Sequence, residues 1–138
     1  MAELTREEIY AWLDEIPQLI RVATVGKDGY PHMVPMNYFR LGDEIIVPVR
    51  GQREVNVRRN PKISLLLDEG GGKEFYKGVM ITGDANVVDD PAEILELTRA
   101  NARARGVAEA ELPTEARRGR TFARVTPRKF ATWDTSRR

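Results

Sequence analysis

At 138 residues the chain has the length of one ordinary domain, and 41% hydrophobic with 31% charged residues is the balance of a soluble globular protein, so a single domain over residues 1–138 is expected. A net charge of +1 gives no general attraction to nucleic acid or anionic lipid, and the absence of cysteine removes disulfides, thiolate metal sites and cysteine nucleophiles. With His32 as its one histidine, no run of about 18 apolar residues and no signal-peptide pattern, the chain is expected to hold no metal, cross no membrane and reside in the cytoplasm.

The first helix begins at Thr5, which caps it. Glu8 completes a capping box, Leu4 and Ile9 can form the hydrophobic staple, and the helix should run to about Asp14 with Pro17 interrupting beyond. Leu19 to Val25 reads as a strand, Asp28-Gly29 as a tight hairpin turn, and Pro31 to Leu41 as the returning strand. After a turn at Gly42-Asp43, Glu44 to Val49 gives a third strand, completing a meander. Its Pro48 lacks a ladder donor and implies an edge or a bulge. Arg53 to Asn60 is a short helix that stops before Pro61, and Ile63 to Leu67 is an almost continuously apolar strand expected to be buried on both faces.

Glu69-Gly70-Gly71-Gly72-Lys73 is a turn. The strand after it alternates cleanly, with Val79, Ile81, Gly83, Ala85 and Val87 on one face and Met80, Thr82, Asp84 and Asn86 on the other. Asp90 caps a third helix with Pro91 at its first position and Glu93 reaching back, and this helix ends near Arg105 before Gly106. Val107 to Arg120 is a surface connection with room for a helical turn. Phe122 to Thr126 and Lys129 to Trp133 are two last strand segments broken at Pro127. Six or seven strands in hairpin order with three short helices describe a mainly β (α+β) antiparallel barrel with helices at its periphery, and the first strand lacks the glycine-rich turn of a dinucleotide fold.

The junction Arg50-Gly51-Gln52-Arg53 is the best candidate for chemistry. Unpaired N–H groups at a helix start, the helix dipole and two guanidiniums all favour a phosphate there. The alternative is that Arg50 and Arg53 are surface residues paired with Glu54 or Asp43. Asn56 can pin the short helix to the preceding strand by a side-chain hydrogen bond, Arg58 and Arg59 read as a solvated face, and His32 as a packed residue rather than a catalyst. Trp133 is a core, interface or cofactor-wall aromatic.

Together, Arg21 to Val25, Asp28 to Met36, Arg53 to Leu65, Tyr76 to Ala85 and Pro127 to Asp134 resemble the pyridoxamine 5'-phosphate oxidase-like superfamily of flavin- and deazaflavin-binding split β-barrels. That resemblance implies an oxidoreductase that is a homodimer, with a flavin mononucleotide (FMN) in a groove between subunits. The cofactor phosphate would be held by Arg53, three residues before Asn56, with help from Arg50 and Gln52. Val34, Pro35, Met36 and Asn37 with Pro48 and Val49 would line the ring, and Trp133 would approach from the partner chain. Family members often carry threonine or serine where this chain has Val47-Pro48-Val49-Arg50, so binding would lean on guanidiniums and backbone amides. Three functions stay open: an FMN oxidoreductase acting on a small-molecule substrate, a reductase using the deazaflavin coenzyme F-420, and a non-catalytic cofactor- or haem-binding dimer.

Overall fold

The computed structural model describes residues 3–72, 75–117 and 119–137. Its elements are α1 (Arg6–Leu13), β1 (Ile20–Val25), β2 (Pro31–Met36), β3 (Phe39–Leu41), β4 (Glu44–Pro48), α2 (Gln52–Arg59), β5 (Lys62–Gly70), β6 (Tyr76–Val88), α3 (Pro91–Ala104), a 3-10 turn (Glu109–Glu111) and β7 (Phe122–Asp134). The strands pair antiparallel in one seven-stranded sheet, in the order β2-β1-β5-β6-β7-β4-β3.

The two edges of this sheet are consecutive in the chain. β2 ends at Met36 and β3 begins at Phe39, leaving Asn37 and Tyr38 to join them. Laid flat, seven strands at roughly 4.8 Å spacing would hold their edges about 29 Å apart, whereas so short a link reaches only about 10 Å. The sheet therefore curls into a half-barrel, giving the mainly β split-barrel architecture expected from the sequence.

This corrects the expected meander. The single strand Pro31 to Leu41 is two strands, and β4 pairs with β3 and β7 rather than continuing from β2. The break sits at Tyr38, whose buried hydroxyl donates to Leu13 O at 2.6 Å and accepts from Gln18 Nε2 at 3.0 Å. Those bonds hold the chain against α1 where a straight strand would carry it past. Pro48 lies on neither an edge nor a bulge: it is the last residue of β4, opposite Phe122, where a missing donor costs little.

The capping chemistry at the first helix holds: Glu8 N donates to Thr5 Oγ1 and Thr5 N to Glu8 Oε1, at 3.1 and 3.0 Å. Asp90 caps α3 through Glu93 N at 3.1 Å. Glu93, however, does not reach back; its carboxylate accepts from Arg124 Nη1 at 2.9 Å, a stronger charge-assisted partner. β5 alternates rather than being buried on both faces, with Ile63, Leu65 and Leu67 inside and Ser64 and Leu66 half-buried. Of the expected Glu69–Lys73 turn, Glu69 and Gly70 extend β5 and Lys73 lies outside the described residues. The connection from Val107 to Arg120 contains the 3-10 turn, and its residue 118 also lies outside them. Pro127 does not split β7. Instead the register slips between Thr82↔Lys129 and Gly83↔Pro127, so Arg128 is accommodated as a bulge.

The barrel interior is filled by Ile20, Val22, Leu65, Val79, Ile81 and Val125, closed at one end by Ile9, Trp12 and Leu13 of α1. A second cluster of Phe39, Ile46, Val88, Ile94, Leu97 and Phe122 seats α3. Among the described residues no helix is long and apolar enough to cross a membrane.

Candidate functional site

The chain leaves β4 at Pro48, turns at Arg50-Gly51 and enters α2 at Gln52. Gly51 makes this turn possible, because its φ of 61° lies in the left-handed region that a side chain disfavours. No side chain caps α2, so the N–H groups of its first turn remain available to a ligand.

Helix α2 is fixed in place by Asn56. This side chain is fully buried and donates from Nδ2 to Thr24 Oγ1 on β1 at 3.0 Å, while its Oδ1 accepts from Gln52 Nε2 at 2.8 Å and from Arg59 Nη2 at 3.2 Å. The pin expected from the sequence exists, but it reaches β1 rather than the preceding strand. With α2 so anchored, one concavity of about 620 Å³ opens on the β1–β2 hairpin side, lined by Lys27, Tyr30, His32, Gln52 and Asn56. A second, of about 290 Å³, opens on the other side. Its walls include Met36, Pro48, Arg50, Arg53, Arg117 and Arg120, and among the described residues no carboxylate lines it.

The pairing of Arg50 and Arg53 with Glu54 or Asp43 is not found. Glu54 accepts from Arg58 and Thr121, and Asp43 accepts from Tyr10. Among the described residues Arg50 and Arg53 form no ion pair, and the Nε of Arg53 is buried with no hydrogen-bond partner. Burial, and then the neighbouring Arg50 guanidinium, push Arg53 below the ordinary arginine range. An arginine does not surrender its proton, so this charge is held at a cost that a bound anion would relieve.

Of the residues expected to face the ring, Met36 and Pro48 line this same cavity. Asn37 lines an adjoining one of about 360 Å³ that shares Met36, Pro48 and Arg120 with it. Val34 is half-buried on the β2 face shared by His32 and Met36, and Pro35 is exposed on the opposite face. Val49 is fully buried, so only its backbone can meet a ligand. Trp133 is not brought to this groove within one chain: the groove adjoins the start of β7 at Phe122, whereas Trp133 lies at its far end, where its ring covers Gly78 on the outer face and a Cβ would collide with it.

Two functional candidates escaped the sequence reading. Arg117 and Arg120 enter the cavity from the loop before β7, more than sixty positions from Arg50. Thr121 brings a hydroxyl to the same cavity, but its proton is directed to Val49 O at 2.5 Å or Glu54 Oε1 at 3.0 Å. The guanidiniums are therefore the principal side-chain donors available to an anion here.

A curled antiparallel half-barrel of seven strands with short helices around it is a split β-barrel. The model of the pyridoxamine 5'-phosphate oxidase family matches residues 5–134, nearly the whole chain, and the chain belongs to that family. Its fold is similar to that of a conserved hypothetical protein from Mycobacterium tuberculosis (TM-score 0.79, 24% identity, covering 95% of this chain and 85% of that one). It is also similar to an FAD-binding protein from Mesorhizobium loti (TM-score 0.71, 20% identity, 96% of each chain). A third similar structure is an F420 reductase (TM-score 0.61, 22% identity, 88% of this chain and 95% of that one). At these identities the likeness defines the fold. No curated protein matches the chain in sequence.

Proposed function

We propose that the chain is an oxidoreductase that binds a flavin-type cofactor, FMN in its simplest form, with the phosphate at Arg50 and Arg53. The observation that carries this reading is the half-buried Arg53, whose Nε has no partner and whose cavity no acid lines among the described residues. A phosphate there would receive forked guanidinium hydrogen bonds and the uncapped N–H groups of α2, a donor set that suits it without hydroxyl side chains. Met36, Asn37 and Pro48 would orient the ring beside it. When bound, the cofactor supplies the redox chemistry; the protein supplies anchoring, orientation and exclusion of water.

The groove is open on one chain, and a homodimer would close it. Pro35, Arg21, Leu66, Met80 and Ala131 stand in one cross-strand row on the outer face of the sheet, where Arg21 pairs with Asp68 and Met33 and Trp133 share the face. Met33 and Met80 are 61% and 40% exposed, apolar ground on either side of that ion pair which a second copy would cover. Through it Trp133 would reach the groove of the other subunit. A second reading, a reductase using coenzyme F-420, is favoured by Arg117 and Arg120, which add positive charge beyond what one phosphate requires. Fold likeness to an F420 reductase and to an FAD-binding protein supports a flavin-type ring in either case.

Purified protein titrated with FMN and with F-420 should quench ligand fluorescence and raise the melting temperature with ligand concentration. Absence of binding by both below about millimolar concentration, an affinity of only about 4 kcal/mol, would refute the reading. Light scattering at micromolar protein should give a dimer, and a monomer would remove the shared groove.

A further inference from the structure

Antiparallel pairing between β4 and β7 does not stop with Pro48↔Phe122. Val49 N donates to Thr121 O at 3.1 Å, and Thr121 Oγ1 donates back to Val49 O, so the two chains remain side by side one step further. The next residues in that register are Arg50 and Arg120. Like charges placed opposite each other across a strand pair destabilise it. Arg120 N also donates to Arg117 O at 3.1 Å, and Arg117 lines the same cavity. Four guanidiniums, from Arg50, Arg53, Arg117 and Arg120, thus share a space of about 290 Å³ that no acid lines among the described residues.

This charge exceeds what an FMN phosphate balances. A phosphate monoester carries about −1.5 to −2 at neutral pH, enough for Arg50 and Arg53 and for neither arginine of the β7 loop. Arg120 is held below the ordinary arginine range by burial, then by Arg117 and Arg50, as Arg53 is by burial and Arg50. The carboxylates nearby are already committed: Glu54 to Arg58, Glu93 and Glu44 to Arg124.

We infer that Arg117 and Arg120 form a second anion subsite beside the Arg50–Arg53 phosphate subsite, so that the groove takes a ligand with two or more adjacent anionic groups. The inference rests on the flavin-type reading for the identity of the ligand but not for its charge. The second group is a phosphate or a carboxylate on the cofactor's own tail, as in the diphosphate of a dinucleotide flavin or the carboxylate chain of a deazaflavin. FMN fills the first subsite and leaves the second open.

The test compares wild type, Arg53→Ala and the double variant Arg117→Ala/Arg120→Gln, by calorimetry at low salt. Inorganic pyrophosphate and orthophosphate probe the charge without any ring; FMN, FAD, F-420 with its carboxylate tail and the tail-less deazaflavin probe the cofactor. Wild type should bind pyrophosphate about tenfold more tightly than orthophosphate, as one added charge-assisted contact allows, and the double variant should bind them equally. It should also lose about tenfold or more in affinity for whichever tailed cofactor binds, and a distinctly smaller factor for FMN, which loses the field of the two charges but no direct contact. Selective loss for FAD identifies a diphosphate, and selective loss for F-420 a carboxylate tail. Arg53→Ala should weaken every ligand. Equal binding of the two inorganic anions by wild type, or a double variant that weakens FMN as much as the tailed cofactors, would overturn the second subsite and leave FMN binding standing. Discrimination of pyrophosphate with no binding of any flavin or deazaflavin would uphold the subsite and refute the flavin reading.

Discussion

At the last turn of α2, Arg58 bonds Glu54 and Asp89 at 3.0 and 2.9 Å, and Arg59 donates to Val25 O at 2.6 Å. At its first turn, less than 10 residues away, Arg53 has a buried Nε with no partner and Arg50 and Arg120 as neighbours. The same residue type on one short helix thus serves two purposes. Arg58 is neutralised locally by the fold. Arg53 is partly desolvated, with a buried Nε that nothing accepts from, an arrangement that an anionic ligand would complete. Partner geometry rather than charge count separates a solvated face from a site, and the two ends of α2 are separable by mutation.

The largest effect should come from removing what holds both ends in place. Asn56→Ala leaves Thr24 and Gln52 without their buried partner and should lower unfolding free energy by about 2–3 kcal/mol in urea titration. An effect below about 0.5 kcal/mol would mean that α2 does not depend on this pin. A smaller loss, about 1 kcal/mol, is expected for Tyr38→Phe, which deletes the hydrogen bond to Leu13 O at the β2–β3 break. Burial pushes the Tyr38 phenol up to about 12 from its ordinary 10.0. Because the folded state favours the neutral phenol, this stability is complete below pH 10.0 and is lost as pH rises through about 12. Tyr38→Phe should remove this contribution from the alkaline limb of a stability–pH profile; an unchanged limb would assign it to other groups. Arg58→Ala should have the smallest effect on function, leaving FMN affinity unchanged because its guanidinium is committed to Glu54 and Asp89.

The elements set by local chemistry were legible in the sequence. Thr5 and Glu8 specify a helix start from within four residues, and alternation from Val79 to Ala85 specifies a half-buried strand. The division of Pro31 to Leu41 was not, because every residue through the break is compatible with a strand and the bend is imposed by Tyr38 contacting Leu13 and Gln18 on a distant segment. Pro127 misled for a related reason: a bulge at Arg128 absorbs its missing donor, while Gly83 opposite permits close backbone approach. Half of the site was legible, since Arg50 and Arg53 adjoin a helix start. Arg117 and Arg120 were not, because only the β4–β7 pairing brings their loop alongside Arg50.

Arg53, unpaired at the start of α2, is the proposed holder of the cofactor phosphate. Fluorescence titration of FMN into wild type, Arg53→Ala and Arg58→Ala tests it most directly, with urea unfolding of each variant as a check on folding. Arg53→Ala should weaken binding by about 1.5–3 kcal/mol without loss of stability, and Arg58→Ala should bind as wild type does. Equal FMN affinity in Arg53→Ala and wild type would contradict it.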